Sequence, residues 1–228
     1  MKARLIAMRE LAPRTFHFEF EADDWTGRFE PGQFVSLTKV IDGNEVTRAY
    51  SIASVPDGPR FALCANYVDG GRFTPFLFSL APGDDVDFTG PWGTFTLRRP
   101  PSDSIFVATG TGIAPFRSML PTALGAHPDK AFTLIFGARH EEGLLYDAEF
   151  CALAAAHPNF LYQPTLTRPP EDWVGLTGRV QPHVISTLGE RRDLDVYICG
   201  MREMVDDLRA QLKAIGFDRR HVIYERYD

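Results

Sequence analysis

The chain has 228 residues, of which 44% are hydrophobic and 24% are charged, and its formal net charge is −6. These values are typical of a globular protein and argue against a nucleic-acid binder, since no basic run is present. The N-terminus lacks the apolar core of a signal peptide, no stretch reaches the ~18 apolar residues of a membrane span, and three cysteines are too few for a disulfide framework, a zinc site or an iron–sulfur cluster. We therefore expect a cytoplasmic monomer without a metal of its own.

The first hundred residues alternate apolar and polar side chains, a pattern typical of β-strands. Glycine- and proline-rich turn signals separate the short runs. The predicted strands are 15–20, 33–37, 46–51, 60–66, 86–88 and 94–97. Six short strands with frequent turns favour a small closed antiparallel barrel. The proline pair at Pro100-Pro101 favours a domain boundary, so the first domain is placed at residues 1–99.

A buried strand, a glycine turn and a helix start follow one another at 105–117. The continuous apolar run at 105–108 is typical of a central strand in a parallel sheet. Gly110 and Gly112 allow close backbone approaches, and such a turn presents N–H groups to a phosphate. However, Pro115 stands where the dinucleotide fingerprint has its third glycine. These residues alone leave both a nucleotide site and a plain strand-to-helix turn open.

The second half of the chain alternates strands with helices, which predicts a doubly wound parallel sheet at residues 104–228. Its five predicted strands are 105–108, 132–136, 160–166, 196–199 and 221–224. The clearest helix is 202–215, where apolar residues recur at spacings of three and four. The helix after the glycine turn is expected to kink or end at Pro121.

One segment of the predicted barrel carries residues suited to a flavin nucleotide. Arg48 and Tyr50 lie two residues apart on a strand and therefore point to one face, with Ser51 on the other. An arginine can hold a pyrophosphate, and a tyrosine can lie against a planar ring. An ordinary half-buried strand also fits this segment when it is considered alone.

Three motifs together resemble the ferredoxin–NADP reductase family over essentially the whole chain. They are Arg48-x-Tyr50-Ser51, Gly110-Thr111-Gly112-Ile113-Ala114-Pro115 and Cys199-Gly200. The family's glycine turn ends in proline, which accounts for the departure from the fingerprint. The resemblance implies an FAD-binding barrel followed by a nicotinamide-dinucleotide domain. It also implies that NAD(P)H gives a hydride to flavin N5, and that the reduced flavin passes electrons singly to a carrier protein.

The resemblance implies FAD-binding roles for residues of the barrel. Arg48 would pair with the pyrophosphate, Tyr50 would lie against the isoalloxazine ring, and Ser51 would hydrogen-bond near N5. The segment Gly71-Arg72-Phe73-Thr74 matches the family's second phosphate segment, a short helix start. Asn66-Tyr67-Val68 would line the other side of the flavin. A β-turn capped by a threonine is the alternative reading of the second segment.

In the second half, the resemblance places roles at strand ends. Cys199 would lie beside the nicotinamide C4, and the C-terminal segment Tyr224–Asp228 would bring Glu225 and Tyr227 near the flavin. A small buried hydrophobe and a solvated charged terminus are the alternatives. The residues implied as catalytic are Ser51, Cys199 and Glu225. Gly110, Thr111 and Gly112 would approach both the nicotinamide nucleotide and the flavin, and the other residues implied to bind a cofactor in this half are Ile113, Pro115, Gly200 and Met201.

The choice between NADPH and NADH depends on the second and third strands of this half. Arg139 follows the second strand and Thr167-Arg168 follows the third, where NADP-dependent relatives often carry a serine–arginine pair. Two arginines would suit a ribose 2′-phosphate, whereas a strict NAD site usually has an acid there. NADH-dependent relatives also carry these arginines, so both nucleotides stay open and NADPH is slightly favoured.

The electron acceptor is expected to be a ferredoxin- or flavodoxin-type carrier, or an oxygenase component. A local basic patch at Arg48, Arg72, Arg98 and Arg99 would suit an acidic carrier. The alternatives are a reductase of free flavin or quinone, and a non-catalytic flavoprotein subunit of a larger complex.

Overall fold

The computed structural model describes residues 1–227, which form two compact units. The first unit comprises Met1–Thr96 together with Ala114–Met119, and the second comprises Leu97–Ile113 together with the described chain from Leu120 onward. Asp228, which belongs to the C-terminal segment considered above, lies outside the described residues. Each unit is built around one sheet.

The first unit contains a six-stranded antiparallel sheet. Its strands are β1 (Lys2–Ala12), β2 (Thr15–Glu21), β3 (Phe34–Ile41), β4 (Asn44–Ser51), β5 (Arg60–Asn66) and β6 (Asp85–Trp92). Their order is β4-β3-β6-β1-β2-β5, and a short helix, α1 (Thr74–Ser79), separates β5 from β6 along the chain. An isolated bridge joins Ile52, just after β4, to Leu63 of β5. The two outer strands therefore meet, as the predicted barrel requires.

Two strand predictions in this unit are wrong, although the number six is right. β1 was not predicted, because its exposed positions carry charged side chains that mask the alternation of the fully buried Ala3 and Leu5. No strand forms at 94–97. β6 instead continues to Trp92, and Gly93 then turns the chain with a φ of +96°.

An aromatic core connects β2 and β5 inside the first unit. Phe20 and Phe61 stack with ring centroids 5.4 Å apart, and Trp25 meets Phe61 edge-on at 5.2 Å. Burying a phenylalanine side chain stabilises the fold by ~1.5–3 kcal/mol. This packing fixes β5, which ends at Asn66, where the loop with the predicted flavin residues begins.

The second unit contains a six-stranded parallel sheet. Its strands are β7 (Ser104–Thr109), β8 (Phe132–Ala138), β9 (Phe160–Leu166), β10 (Leu176–Thr177), β11 (Asp195–Met201) and β12 (Val222–Tyr227). Their order is β10-β9-β8-β7-β11-β12. Five of these strands were predicted, and the sixth, β10, has only two residues and so carries no periodic pattern. The strand order reverses beside β7, the position at which such sheets bind ligands.

Helices follow the strands of this sheet. They are α2 (Ala114–Ala126), α3 (Asp147–Ala156), α4 (Val180–Leu188) and α5 (Arg202–Ala214). The α5 prediction is confirmed to within one residue, and its buried stripe includes Val205, Leu208 and Leu212. Over residues 1–227, no helix is long and apolar enough to cross a membrane.

The helix does not end at Pro121, because α2 continues through it to Ala126. A proline inside a helix costs ~3 kcal/mol. The neighbouring Met119, Leu120 and Leu124 are each at most 1% exposed. Burial of such side chains contributes ~1.5–3 kcal/mol each, which offsets the cost of the proline.

Candidate functional site

The segment of β4 predicted to bind FAD combines an exposed cation with a half-buried phenol. Arg48 is exposed, and its Nη1 donates to the Thr47 carbonyl oxygen at 2.8 Å. Burial raises the pKa of Tyr50 to about 12, and the positive charge of Arg48 opposes that rise. Tyr50 is therefore a neutral phenol at physiological pH. Ser51 is 5% exposed and pairs with Phe34 of β3.

The start of α1 lies against the end of β4. The rings of Tyr50 and Phe73 have centroids 6.2 Å apart. The predicted segments around Tyr50 and at 71–74 are thus brought together in the first unit. Phe73 is only 1% exposed, so its side chain belongs to the core. Arg72, by contrast, is exposed beside it.

The loop between β5 and α1 is held closed by Thr74. Its hydroxyl accepts a hydrogen bond from the Val68 N–H at 3.1 Å and donates to the Val68 carbonyl oxygen at 3.2 Å. A hydroxyl has one proton, so a phosphate would compete with Val68 for it. A β-carbon on Gly71 would lie 3.0 Å from both Thr74 Oγ1 and the Val68 carbonyl oxygen, and the glycine therefore gives this loop its close fit.

The predicted strand, glycine turn and helix are all present, and the strand and the turn belong to the second unit. β7 ends at Thr109, Gly110 has a φ of +54°, a four-residue 3₁₀ turn spans Gly110–Ile113, and Pro115 lies in the first turn of α2. A β-carbon on Gly112 would overlap the Cys199 carbonyl oxygen and would lie 2.6 Å from the carbonyl carbon. Glycine at this position allows the turn to pack on the end of β11.

A buried hydroxyl without a partner lies beside this turn. Among the described residues, Thr109 Oγ1 makes no hydrogen bond although it is inaccessible to solvent. Gly200 has a φ of +149°, and a β-carbon there would overlap Thr109 Oγ1. An unsatisfied buried hydroxyl costs ~1–3 kcal/mol, so a polar group that hydrogen-bonds to Thr109 would be stabilised here. These residues fit a polar nucleotide at the ends of β7 and β11.

Cys199 is brought together with two residues of β12. The strand register pairs Cys199 with Glu225 and Met201 with Tyr227. Complete burial, and then the negative charge of Glu225, raises the pKa of the Cys199 thiol well above its usual value, while a hydrogen bond from Tyr227 opposes the rise. The thiol is therefore protonated and neutral. Met201 is 64% exposed at the strand end.

The two predicted nucleotide-binding arginines follow adjacent strands. The backbone N–H of Arg168 donates to the Arg139 carbonyl oxygen at 2.9 Å, and the N–H of Thr167 donates to that of Ala138 at 3.1 Å. Both arginines are exposed. Arg168 lines an open surface cavity of about 600 Å³, together with His140, Glu141, Glu142, Pro169 and Pro170.

Two acids also line this cavity. Glu141 and Glu142 follow the end of β8 by three and four residues. One member of the predicted basic patch is also engaged elsewhere, because Arg98 Nη1 donates to the Asp195 carboxylate at 3.1 Å.

Two family models match the chain. An oxidoreductase FAD-binding domain matches residues 2–97, and an oxidoreductase NAD-binding domain matches residues 106–210. Among curated proteins, the chain is 43% identical over 238 residues to ferredoxin–NADP reductase B of Sorangium cellulosum, covering 100% of this chain and 97% of the relative.

Two further relatives are longer proteins. The electron transfer component of toluate 1,2-dioxygenase from Pseudomonas putida is 32% identical, with 87% of this chain and 59% of the relative covered. The reductase component of a phenol 2-monooxygenase from a Pseudomonas species is 33% identical, with 87% of this chain and 58% of the relative covered. The chain thus spans little more than half the length of these relatives.

Solved structures share the fold of the whole chain. The cytochrome P450 reductase GcoB of Amycolatopsis has a TM-score of 0.89 at 27% identity, covering 99% of this chain and 69% of that protein. A ferredoxin NADP⁺ reductase from Neisseria gonorrhoeae with bound FAD and NADP has a TM-score of 0.82 at 22% identity, covering 99% and 98%. At the lower identity the likeness shows the fold alone.

Proposed function

The chain belongs to the FAD- and NAD-binding oxidoreductase family that includes the ferredoxin–NADP reductases, and we propose that it passes electrons from NADPH through FAD to a ferredoxin- or flavodoxin-type carrier. FAD-dependent electron transfer from a nicotinamide nucleotide is the chain's general activity. The observation that carries the specific proposal is the similarity to a protein named as a ferredoxin–NADP reductase, which extends over 97% of that protein.

We assign FAD to residues 1–99 and the nicotinamide nucleotide to residues 104–228. Arg48 binds the FAD pyrophosphate, since its exposed guanidinium is suited to a bidentate phosphate contact. Tyr50 offers a neutral ring for the isoalloxazine, supported by its packing against Phe73. We also propose the FAD-binding roles that the family resemblance implies for Asn66, Arg72 and the other predicted residues of the barrel.

The flavin supplies hydride acceptance and one-electron release when bound, and the protein supplies position and electrostatics. Cys199 places a small, neutral thiol at the end of β11, because burial keeps it protonated. Glu225 and Tyr227 lie opposite the end of β11 on β12 and help to hold that strand end in place. Thr109 Oγ1 offers a hydrogen bond to the nicotinamide nucleotide, which would satisfy an otherwise unpartnered buried hydroxyl.

NADPH is proposed over NADH because Arg139 and Arg168 follow adjacent strands and are both exposed. Two guanidinium groups can neutralise a ribose 2′-phosphate. Glu141 and Glu142 favour the opposite choice, since carboxylates in the same cavity bind ribose hydroxyls and repel a phosphate. The name of the Sorangium relative, a ferredoxin–NADP reductase, supports NADPH.

The acceptor is tested by supplying NADPH to the FAD-loaded protein together with a [2Fe–2S] ferredoxin, a flavodoxin, free FMN or a quinone in turn. The proposal expects the highest kcat/KM with one of the two carrier proteins. A higher value with free FMN or quinone would identify a free-flavin or quinone reductase instead. Reduction of the flavin without turnover on any acceptor would favour a subunit of a larger electron-transfer complex.

An oxygenase component is a second candidate acceptor. It is favoured by the two relatives that are named as electron transfer or reductase components of oxygenases. The chain spans only 59% and 58% of those proteins. Their names are therefore weaker evidence for the electron acceptor of this chain than the name of the Sorangium relative is. An oxygenase that accepts electrons only after a ferredoxin is added would support the carrier-protein route.

A further inference from the structure

Arg14 contacts the loop that follows β5 in three different ways. Its carbonyl oxygen accepts a hydrogen bond from the Tyr67 N–H at 2.8 Å. Its guanidinium carbon lies 4.8 Å from the centroid of the Tyr67 ring. Its Nη1 and Nη2 donate to the two carboxylate oxygens of Asp69 at 2.9 and 2.6 Å, which is a bidentate pair.

The hairpin that carries Arg14 is itself well defined. Arg14 lies in the turn between β1 and β2, where Ala12 pairs with Thr15, and it has a φ of +61°. Its backbone N–H donates to Glu10 Oε1 at 3.2 Å. The guanidinium therefore extends from a tight hairpin of the barrel toward the loop at 67–71.

Tyr67 is also fixed from its other side. Its ring meets Phe78 of α1 edge-on, with centroids 5.3 Å apart, and Phe78 in turn meets Phe16 and Phe18 of β2 edge-on at 5.2 and 5.3 Å. Tyr67 thus connects the Arg14 guanidinium to the aromatic core of the first unit. Aromatic contacts of this geometry add to the stability given by burial alone.

Val68 lies between the two residues that Arg14 holds. Its N–H and its carbonyl oxygen both bond to Thr74, while its side chain is 46% exposed. The loop is therefore held through the backbone of Tyr67 and Val68 and through the carboxylate of Asp69. This is the segment that the proposed FAD site uses.

We propose that Arg14 is a positioning residue for FAD, which acts through Tyr67 and Asp69 to hold the loop at 67–71 in its binding conformation. The proposal rests on the proposed FAD site, to which Asn66, Val68 and Gly71 belong. A lone exposed ion pair contributes little to the free energy of folding. Arg14, however, combines a bidentate ion pair, a cation–π contact and a backbone hydrogen bond, and all three act on the same loop. Without Arg14, FAD would have to order this loop when it binds, and its affinity would fall.

The test compares FAD release from the holoprotein of four single variants and one double variant, R14N/D69N. Arg14→Asn removes the guanidinium while keeping a residue that tolerates a positive φ. Arg14→Lys keeps the positive charge but loses the bidentate geometry of the guanidinium, and Asp69→Asn removes the negative charge of its partner. Arg60→Ala is the matched control, because Arg60 forms an exposed ion pair with Glu21 at 2.9 Å from the opposite end of β5.

We expect Arg14→Asn to release FAD roughly three- to tenfold faster than wild type, and Arg60→Ala to match wild type. Arg14→Lys and Asp69→Asn should lie between the two. The double variant R14N/D69N should be no worse than R14N, because the two residues act as a unit. Amide hydrogen exchange at 67–71 should accelerate in R14N and stay unchanged in Arg60→Ala, a local readout that general destabilisation would not produce.

Equal FAD release from R14N, Arg60→Ala and wild type would overturn the role of Arg14 and leave the FAD site intact. Faster release from R14N and Arg60→Ala alike would also overturn it, since the effect would then be one of general stability. Failure of wild type to bind FAD would overturn the proposed function itself and this inference with it.

Discussion

Gly112 packs against Cys199 so closely that a β-carbon on the glycine would lie 2.6 Å from the Cys199 carbonyl carbon and 2.7 Å from the α-carbon of Gly200. Neither of these neighbours is a flexible side chain, so neither can move aside without shifting the end of β11. The glycine turn and the cysteine, 87 positions apart in the chain, are therefore parts of one structure.

Gly112→Ala should lower the free energy of unfolding by ~1–3 kcal/mol and weaken NADPH binding, because the turn must move away from β11. Gly125→Ala in α2 is the control, since a β-carbon there meets nothing within 4 Å beyond the helix's own backbone. That control should be neutral or stabilising by ~0.5–1 kcal/mol. Urea unfolding and nucleotide titration measure both effects, and equal stability of the two variants would contradict the packing described here.

Thr109→Val should leave the nucleotide-free protein as stable as wild type or stabilise it, because the substitution removes a buried hydroxyl that has no partner among the described residues. Thr165→Val is the contrasting variant. Thr165 is fully buried, and its hydroxyl donates to the Gly178 carbonyl oxygen at 2.9 Å, so its loss should cost ~1–3 kcal/mol. With NADPH present, Thr109→Val should bind more weakly than wild type. Similar losses of stability in both variants would indicate that Thr109 is hydrogen-bonded after all.

Arg48→Ala should weaken FAD retention about 10- to 100-fold, because it removes a charge-assisted contact to the pyrophosphate worth ~1.5–3 kcal/mol. Arg48→Lys keeps the charge but not the bidentate geometry, so its FAD retention should lie between those of Arg48→Ala and wild type. Flavin fluorescence during dilution or dialysis measures the loss. Unchanged retention in Arg48→Ala would place the pyrophosphate elsewhere.

His17 should make stability depend on pH. Burial, and then the charges of Arg117 and Arg9, lowers the pKa of His17 to about 4, although its Nε2 lies 3.2 Å from Glu19 Oε1. Below the ordinary pKa of 6.5, His17 takes up a proton in the unfolded chain but not in the folded protein. The contribution of His17 to the free energy of unfolding is therefore fully present above pH 6.5 and is lost as the pH falls toward 4.

The largest loss expected from His17 is about 3 kcal/mol. His17→Gln keeps a hydrogen-bonding group but does not titrate, so its unfolding free energy should fall less over the same interval. Denaturant unfolding above pH 6.5 and near pH 4 compares the two proteins, and identical pH dependence would show that folding does not lower the pKa of His17.

Local patterns predicted most of the fold. β5 and β9 match their predicted limits to the residue, because their apolar patterns are bounded by clear turns. β1 was not predictable in this way, because charged residues at its exposed positions hide the alternating pattern. The continuation of α2 through Pro121 was not predictable either, because tertiary packing outweighs the low helix propensity of proline there. Sequence reasoning therefore succeeds where an element's own residues decide its structure.

The same distinction between local sequence and tertiary packing applies to the candidate site. The glycine turn could be identified because its residues are consecutive. The pairing of Arg14 with Asp69 across 55 positions, and the meeting of Glu141 with Arg168 at one cavity, depend on how distant loops pack. No local pattern carries that information, so the structure was needed to find them.

The most direct test of the central claim is an absorption spectrum of the purified protein after FAD loading, followed by anaerobic titration with NADPH and with NADH. We predict that the protein retains flavin bands and that NADPH bleaches them at lower concentration than NADH. A protein that takes up no FAD, or whose flavin bands neither nucleotide bleaches, would contradict the account.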